Sequence, residues 1–230
     1  MNNIRFYCLN FYENKREEIK KRFDYLNINC FFYKGVQFSD DRIINDKNKK
    51  TSSYTLGQID MIQMFLDSDY EFGIFCEDDI YINKELITNL PTICNDFKKL
   101  NLDILLLGYL LPFKININNP HFKLLHNNNN LSYYNYNDDL WGAQMYMYSK
   151  QQAKYIIEKY NNKEYLENKN MYNIPFSSDF ILTKDAKNRA LITPIMAIED
   201  NSNVIDDYYQ NEYHKNCFNC NFDKKLFLPI

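Results

Sequence analysis

The segment Phe72-Gly73-Ile74-Phe75-Cys76-Glu77-Asp78-Asp79 decides the fold of this chain. Its first five residues are apolar or small, which is typical of a strand covered on both faces by other elements. Strands of this kind belong mainly to α/β proteins, in which helices cover a parallel sheet. The strand ends abruptly in three carboxylates, and open parallel sheets bind ligands at the carboxyl ends of their strands. We therefore expect an α/β fold with a polar site directly after Cys76.

Strands and helices alternate on both sides of this segment. Short apolar runs predict strands at Ile4–Leu9 and at residues 30–36, 103–108, 141–148 and 191–197. Apolar residues at helical spacing predict helices at 13–27, from Thr55, from Ser149 to about Tyr160, and at 179–187. This alternation predicts an α/β fold with a Rossmann-like mixed, mainly parallel sheet flanked by helices.

Three polar segments interrupt this pattern. Residues 39–53 are rich in lysine and predict a loop, and residues 161–173 predict an exposed connection. Residues 114–137 contain a run of four asparagines and predict an irregular insertion or a hairpin. The segment 207–230 is a tail whose structure the pattern does not decide.

The composition limits the number of domains and the kinds of partner that this chain can have. A chain of 230 residues with 45% hydrophobic content is long enough for one domain, which we place at 1–230. Its 27 basic and 30 acidic residues create no overall field for nucleic acid. The longest apolar stretch, 104–113, is far shorter than the roughly 20 residues that span a bilayer. We expect no nucleic-acid partner and no membrane span.

The start of the chain and the cysteines indicate the compartment. Residues 1–5 lead directly into a strand-like run, without the basic and apolar regions of a secretory signal. Three of the six cysteines lie in apolar strand-like runs, where reduced thiols pack as small hydrophobic groups. These features predict a cytoplasmic protein.

The acidic triplet Glu77-Asp78-Asp79 indicates cation chemistry. Three adjacent carboxylates repel one another unless a cation compensates them, and a hard divalent ion prefers oxygen ligands. Such an ion could accept a diphosphate and stabilise the charge that forms when a sugar-phosphate bond breaks. The alternative is an exposed acidic turn that caps a helix beginning near Asp79.

Several further motifs follow one another along the chain in a fixed order. They are Tyr7-Cys8-Leu9-Asn10 with Arg16, Phe32-Tyr33-Lys34-Gly35-Val36, Phe75-Cys76-Glu77-Asp78-Asp79-Ile80, Leu105-Leu106-Leu107-Gly108-Tyr109, residues 141–149 with Ala153, Pro175 with Asp179 and Leu182, and Pro194 with Ser202. Together they resemble glycosyltransferase family 25, the lipooligosaccharide and procollagen galactosyltransferases, over the range from Phe6 to about Asp206. The resemblance implies a GT-A fold.

One part of the pattern departs from that family. Gly57 lies where the family has a Gly-Cys and Ser-His signature, but Gln58, Met61 and Ile62 replace the remaining residues. A transferase fold that has lost turnover and only binds glycan or protein is therefore an alternative. A metal-dependent nucleotidyl or phosphoryl transferase is another, although no glycine-rich phosphate loop is visible.

The resemblance implies a role for each residue of the acidic triplet. Asp79 would bind the metal, with Asp78 as a second ligand or a water-mediated partner. Glu77 would orient the ribose or the donor sugar. His214 lies in the part of the chain from which many GT-A enzymes take a third metal ligand. As an alternative, His214 could join Cys217 and Cys220 in a zinc site, although no fourth ligand follows at a suitable spacing.

Outside the triplet, the resemblance assigns Asn10 and Arg16 to the nucleotide, where the arginine could bind phosphate by forked hydrogen bonds. Arg16 could equally be a surface charge beside Glu17. Trp141, the only tryptophan, could present an aromatic face to a sugar ring, or it could pack in the core.

Family members invert the anomeric centre, which requires a base near the acceptor hydroxyl. Asp179 is the candidate, with Glu199 and Asp200 in reserve; Asp179 could instead cap a helix together with Ser178. The sequence thus predicts an inverting transferase that moves galactose or glucose from a UDP-sugar, with Mn²⁺ or Mg²⁺, to a hydroxyl of a glycan or hydroxylated protein.

Overall fold

The computed structural model describes residues 3–115, 121–128, 130–169, 175–201 and 207–227. Ser202 and Asp206, to which the family resemblance extends, lie outside the described residues. The strands are β1 (Ile4–Leu9), β2 (Cys30–Tyr33), β3 (Phe72–Cys76), β4 (Ile80–Ile82), β5 (Ile104–Leu110), β6 (Leu124–Asn128), β7 (Leu131–Tyr134), β8 (Trp141–Ser149), β9 (Arg189–Thr193) and β10 (Ala197–Glu199). The helices are α1 (Glu13–Tyr25), α2 (Lys49–Leu66), α3 (Leu86–Lys99), α4 (Lys150–Tyr160), α5 (Lys163–Asn168), α6 (Ser178–Ile181) and α7 (Tyr208–Asn221).

The described strands form one mixed sheet in the order β2-β1-β3-β8-β5-β9-β7-β6, with β10 pairing to both β5 and β4. The strand β1 runs parallel to β2 and β3, and β5 runs parallel to β9. The long strand β8 enters antiparallel between β3 and β5, so that Met145 lies opposite both Cys76 and Gly108. The predicted α/β fold with a mixed sheet and flanking helices is confirmed.

Helices cover both faces of this sheet. Alternate residues of β1 and β3 point to opposite faces, because successive side chains of a strand do so. On one face Tyr7 and Phe75 pack with the apolar sides of α2 and α4, and on the other Cys8 and Ile74 pack with α1 and α3. All five residues of β3 are buried, as its uniformly apolar sequence predicts. Packing on both faces therefore fixes the end of β3, and with it the backbone of the acidic triplet that follows.

The prediction of a loop at 39–53 is wrong for its last residues, since α2 begins at Lys49 and not at Thr55. The side chain of Asn48 caps the helix by accepting a hydrogen bond from the N–H of Thr51. The hydroxyl of Ser52 donates to Asp46 at 2.5 Å. Polar side chains thus satisfy the first turn of a helix that hydrophobic spacing does not reveal.

The later part of the chain agrees only partly with the sequence pattern. The hydroxyl oxygen of Ser149 accepts from the N–H of Gln152 at 3.1 Å, which confirms the predicted start of α4. The insertion contains the β6–β7 hairpin, and residues 163–168, expected to be an exposed connection, form α5.

The helix predicted at 179–187 is wrong in length, because α6 ends at Ile181. The undecided tail contains α7, which the side chain of Asp207 caps by accepting from the N–H of Gln210 at 2.8 Å. Among the described helices, none combines the length and the apolar character needed to cross a bilayer.

Candidate functional site

A cavity of about 610 Å³ opens at the carboxyl end of β3. It is enclosed by the end of β3, the beginning of β8, the end of β10, α6 and α7. Its lining residues are Glu77, Leu110, Asp139, Trp141, Gly142, Ala143, Gln144, Asp179, Glu199, Gln210, Tyr213 and His214. Four of the predicted site residues therefore meet here, although they are widely separated in sequence: Glu77, Trp141, Asp179 and His214.

The carboxylates around this cavity act on one another. Burial raises the pKa of Glu77 well above its usual value, and the negative charges of Asp79, Asp179 and Glu199 add to the rise. The pKa of Asp79 rises to about 7, again mainly through burial and then through Glu199. The backbone N–H of Asp200 donates to the carbonyl of Asp79 at 2.6 Å, which ties β10 to the triplet. Burial and repulsion together make full ionisation of the cluster costly without a compensating cation.

Asp78 is hydrogen-bonded to a side chain at the end of β1. The side-chain amide of Asn10, at the end of β1, donates to Asp78 Oδ2 at 2.6 Å and to the carbonyl of Tyr12 at 2.9 Å. Burial raises the pKa of Asp78, while this hydrogen bond and the charge of Lys15 oppose the rise. Asn10 therefore fixes the direction of the second carboxylate.

His214 and Glu199 form a hydrogen-bonded pair in the cavity wall. The distance from His214 Nδ1 to Glu199 Oε2 is 2.6 Å. This contact raises the pKa of His214, whereas burial opposes the rise. Because Nδ1 is engaged by Glu199, only Nε2 could take a ligand or exchange a proton with one. A carboxylate partner of this kind fixes the orientation of an imidazole ring.

Asp179 reaches the cavity from the first turn of α6. Its Oδ1 accepts a hydrogen bond from the backbone N–H of Gly142 at 2.9 Å. Burial raises the pKa of Asp179, and the Gly142 hydrogen bond and the charge of Lys184 oppose the rise. The side chain of Asp179 thus contacts the start of β8, and the short helix has no side-chain cap. The alternative that Asp179 caps a helix together with Ser178 is therefore wrong.

Trp141 lies at the edge of the cavity. It is 44% exposed, so the alternative of a core tryptophan is wrong. Phe180 packs edge-to-face against the indole ring with ring centroids 5.4 Å apart, and the Lys184 ammonium lies 4.4 Å from the centroid of the Trp141 ring. These two contacts hold the indole ring of Trp141 in place, while part of the ring surface stays accessible.

Asn10, Asp78 and Asp79 are not among the residues that line the cavity, and neither are Arg16 and Asp200. Arg16 is exposed on α1, and its guanidinium carbon lies 5.3 Å from the centroid of Phe32 on β2. Asp200, a reserve base, forms a buried ion pair with Arg22 at 3.0 Å. Arg22 also donates to the carbonyl of Ile80 at 2.7 Å, so this pair joins α1 to the strand after the triplet.

The predicted metal ligands do not form a closed cage. Across the residues that the structure describes, no three His, Cys, Asp or Glu side chains are grouped closely enough to hold a cation by themselves. Asp78, Asp79 and His214 are therefore not assembled as a set of three, nor are His214, Cys217 and Cys220. A magnesium-type ion needs only one or two carboxylates when phosphate oxygens and water complete its coordination.

Among known proteins, only solved structures are similar to this chain. No protein-family model matches the chain, and no curated protein matches its sequence. One similar solved structure is a glycosyltransferase involved in the glycosylation of the major capsid of PBCV-1, with 10% identity, a TM-score of 0.40, and coverage of 72% of this chain and 73% of that one. A second is mannose-1-phosphate geranyltransferase from Thermus thermophilus, with 6% identity, a TM-score of 0.47, and coverage of 83% and 73%.

A third is TarS 1-349 of S. aureus in complex with UDP-GlcNAc, with 12% identity, a TM-score of 0.42, and coverage of 97% and 68%. With every TM-score below 0.5, the chemistry of the cavity must be judged from its own residues. Membership of family 25 stays a prediction.

Sequence reasoning missed several residues near the triplet. Lys15 acts electrostatically on both Asp78 and Asp79. Tyr54 of α2 is near enough for Glu77, Asp78 and Asp79 to raise its pKa, in addition to burial, and its ring lies 4.6 Å from that of Phe11. Lysine and tyrosine on helices resemble ordinary surface residues in a sequence, and only the fold brings them to the end of β3.

Proposed function

We propose that this protein is a cation-assisted glycosyltransferase that moves a hexose from a UDP-sugar to an acceptor hydroxyl. One observation carries the proposal: three partly buried carboxylates, Glu77 directly after β3, Glu199 of β10 and Asp179 of α6, converge with a histidine from α7 on one cavity at the carboxyl end of the central strand. That edge is where open α/β sheets bind ligands. The cavity volume of about 610 Å³ lies within the usual range for a small-molecule ligand.

A divalent cation suits the charge of this site. The raised pKa values of Glu77 and Asp79 mark carboxylates whose ionisation a cation would favour. We assign Asp79, with Asp78 as the second group, to hold Mn²⁺ or Mg²⁺, and His214 Nε2 to complete the site when nucleotide is present. The bound ion would stabilise negative charge on the departing nucleoside diphosphate. Asn10 keeps Asp78 in position through its 2.6 Å hydrogen bond.

Asp179 is the proposed general base. It lies in the same cavity as Glu77, and the Gly142 N–H fixes one of its oxygens. The other oxygen could accept the proton of an acceptor hydroxyl, and the raised pKa brings the carboxylate nearer to the range in which a base is effective. Asp200 is unsuited to this part because its carboxylate is buried against Arg22. Glu199 is engaged by His214 and would position the imidazole.

The remaining residues would bind the donor. Glu77 is placed to accept hydrogen bonds from hydroxyl groups of the donor ribose or hexose, and the accessible face of Trp141 can stack on a sugar ring. Arg16 lies on α1, which begins soon after the end of β1. We assign it to the outer end of the nucleotide, beyond the cavity itself. The acceptor is a hydroxyl of a glycan or of a hydroxylated protein.

The test is transfer and hydrolysis of UDP-glucose and UDP-galactose with Mn²⁺ by the parent and by Asp79→Asn. Loss of one group that stabilises transition-state charge should lower kcat by about 100-fold or more. Asp40→Asn is the matched control, since Asp40 is an acidic residue bound to Arg42 away from the cavity. Equal turnover by the parent and Asp79→Asn would contradict the proposal. Tight glycan binding that needs neither cation nor nucleotide would instead support a binding module.

A further inference from the structure

Gln144 is a buried amide in the wall of the cavity. It lies on β8, is 4% exposed, and belongs to the lining residues. Its backbone carbonyl accepts a hydrogen bond from the N–H of Glu77 at 3.2 Å. The backbone of Gln144 is therefore fixed directly beside that of Glu77, the first residue of the acidic triplet.

Among the described residues, none forms a hydrogen bond with the amide oxygen of Gln144. Oε1 is buried and forms no hydrogen bond within the part of the chain that the structure describes. Folding normally supplies a partner for a buried polar atom, because leaving one without a hydrogen bond destabilises the folded state. Since Gln144 lines the cavity, a ligand in the cavity is positioned to supply that partner.

Two glycines make room for this amide. Gly142 has a φ of +108°, and a Cβ atom there would lie 2.2 Å from Gln144 Oε1. A Cβ atom at Gly108, on the neighbouring strand β5, would lie 3.2 Å from the Cβ of Gln144. The N–H of Gly142 is the group that holds Asp179. The amide oxygen therefore packs against the glycine whose N–H holds the proposed base.

We infer that Gln144 is a specificity-determining residue whose side-chain amide forms hydrogen bonds with a hydroxyl group of the donor hexose. This inference rests on the proposed function and identifies one point at which the cavity distinguishes one hexose from another.

The chemistry of the neighbouring groups favours this role for an amide. An ionised carboxylate only accepts hydrogen bonds, whereas an amide offers an acceptor oxygen and two donor hydrogens. A sugar hydroxyl donates and accepts, so the amide can bind it in either sense. A site that hydrogen-bonds a substrate hydroxyl rejects the analogue without it strongly, because its own polar group is then left without a partner. Epimeric hexoses differ in the direction of one hydroxyl, which a fixed amide can distinguish.

The experiment measures binding by calorimetry for the parent, Gln144→Met and the control Gln151→Met, an exposed position on α4. The ligands are UDP, UDP-glucose, UDP-galactose and their monodeoxyhexose analogues, all with Mn²⁺. We expect Gln144→Met to bind UDP as the parent does and the preferred UDP-hexose about tenfold more weakly, the scale of one good hydrogen bond. One deoxy analogue should bind the parent about tenfold more weakly than the full hexose, yet bind Gln144→Met as well as the full hexose does.

The outcomes separate this inference from the proposed function. If the unaltered protein binds no UDP-hexose, the proposed function fails and the inference fails with it. If Gln144→Met ranks the UDP-hexoses and deoxy analogues as the parent does, the inference alone is overturned.

Thermal unfolding distinguishes recognition from a structural role. We expect Gln144→Met to unfold at the same temperature as the parent or a higher one, because the substitution removes a buried oxygen that no described residue hydrogen-bonds. A large fall in unfolding temperature with unchanged hexose ranking would mean that the amide is structural. Gln144→Asn keeps the amide but withdraws it by one methylene; it should also lose hexose discrimination, and it replaces Gln144→Met if that variant fails to fold.

Discussion

The acidic side chains around Arg42 and those at the end of β3 have opposite surroundings. Arg42 donates to both oxygens of Asp40 and to both oxygens of Asp60, at 2.7–3.0 Å. The hydrogen bonds from Arg42 lower the pKa of Asp40, although partial burial acts against them. At the end of β3, Lys15 acts in the same direction on Asp79, but burial and neighbouring carboxylates outweigh it.

The difference is the one expected if the two acidic groups have different roles. A carboxylate that stabilises a loop receives its counter-charge from the chain, as Asp40 does from Arg42. The carboxylates of the cavity keep raised pKa values. Under the proposed function, a bound cation supplies further compensation for their charge.

Asp179→Asn should have the largest effect. Removing the proposed base should lower kcat by about 10²–10⁴-fold, with donor affinity changed only a few-fold. Steady-state kinetics and calorimetry with UDP would separate the two quantities. Asp40→Asn is the matched control and should leave kcat unchanged. A variant that retains parental kcat would exclude Asp179 as the base and leave Glu199 with His214 as the candidates.

Mn²⁺ should stabilise the parent and not Asp79→Asn. A ligand that binds only the folded state at a hundred times its Kd stabilises it by about 2.7 kcal/mol. For a chain of this size that corresponds to a rise in Tm of roughly 5–11 °C. Differential scanning fluorimetry with Mn²⁺ and with EDTA tests this, and Asp40→Asn should respond as the parent does. Equal shifts in all three proteins would place the cation elsewhere.

Arg42→Ala should destabilise the fold without affecting the cavity. It leaves two carboxylates close together without their shared cation, which should lower the free energy of unfolding by about 1 kcal/mol given partial exposure. Urea unfolding measures this change. The same variant should bind UDP with Mn²⁺ normally. Loss of nucleotide binding with an unchanged unfolding midpoint would contradict the division between the two acidic groups.

The smallest expected effect is a pH dependence at Asp40. Its folded pKa is lowered, so its contribution to stability is present above the unfolded value of about 3.9 and is lost as pH falls through the folded value. The difference in Tm between the parent and Asp40→Asn should therefore be constant above about pH 5. It should shrink towards zero below about pH 4. A difference that grows towards acidic pH would show that the Arg42 contact does not stabilise the fold.

Local features of the sequence predicted the frame of the site. The apolar run of β3, the abrupt Glu77-Asp78-Asp79 and the start of α4 at Ser149 are each encoded within a few residues, and the structure agrees with them. The start of α2 was missed because polar contacts of Asn48 and Ser52 form its first turn, which hydrophobic spacing cannot register.

Long-range contacts account for most of what the sequence left open. Asp200 binds Arg22 from 178 positions away, so no local pattern separates it from Asp179 as a candidate base. Glu199 and His214 face each other only because α7 packs beside β10. Gln144 lies within an apolar strand pattern, and the room for its side chain depends on Gly142 and on Gly108 of the neighbouring strand.

The helix α7 has a consequence for how the protein is made. Tyr213 and His214 belong to its middle turns and close one side of the cavity, whereas every described strand of the sheet ends by Glu199. During synthesis every described strand is therefore translated before the last wall of the cavity, although Phe227, which is buried in the core, follows α7. A nascent chain stopped after Asp200 would contain all of these strands but would lack the imidazole that completes the proposed cation site.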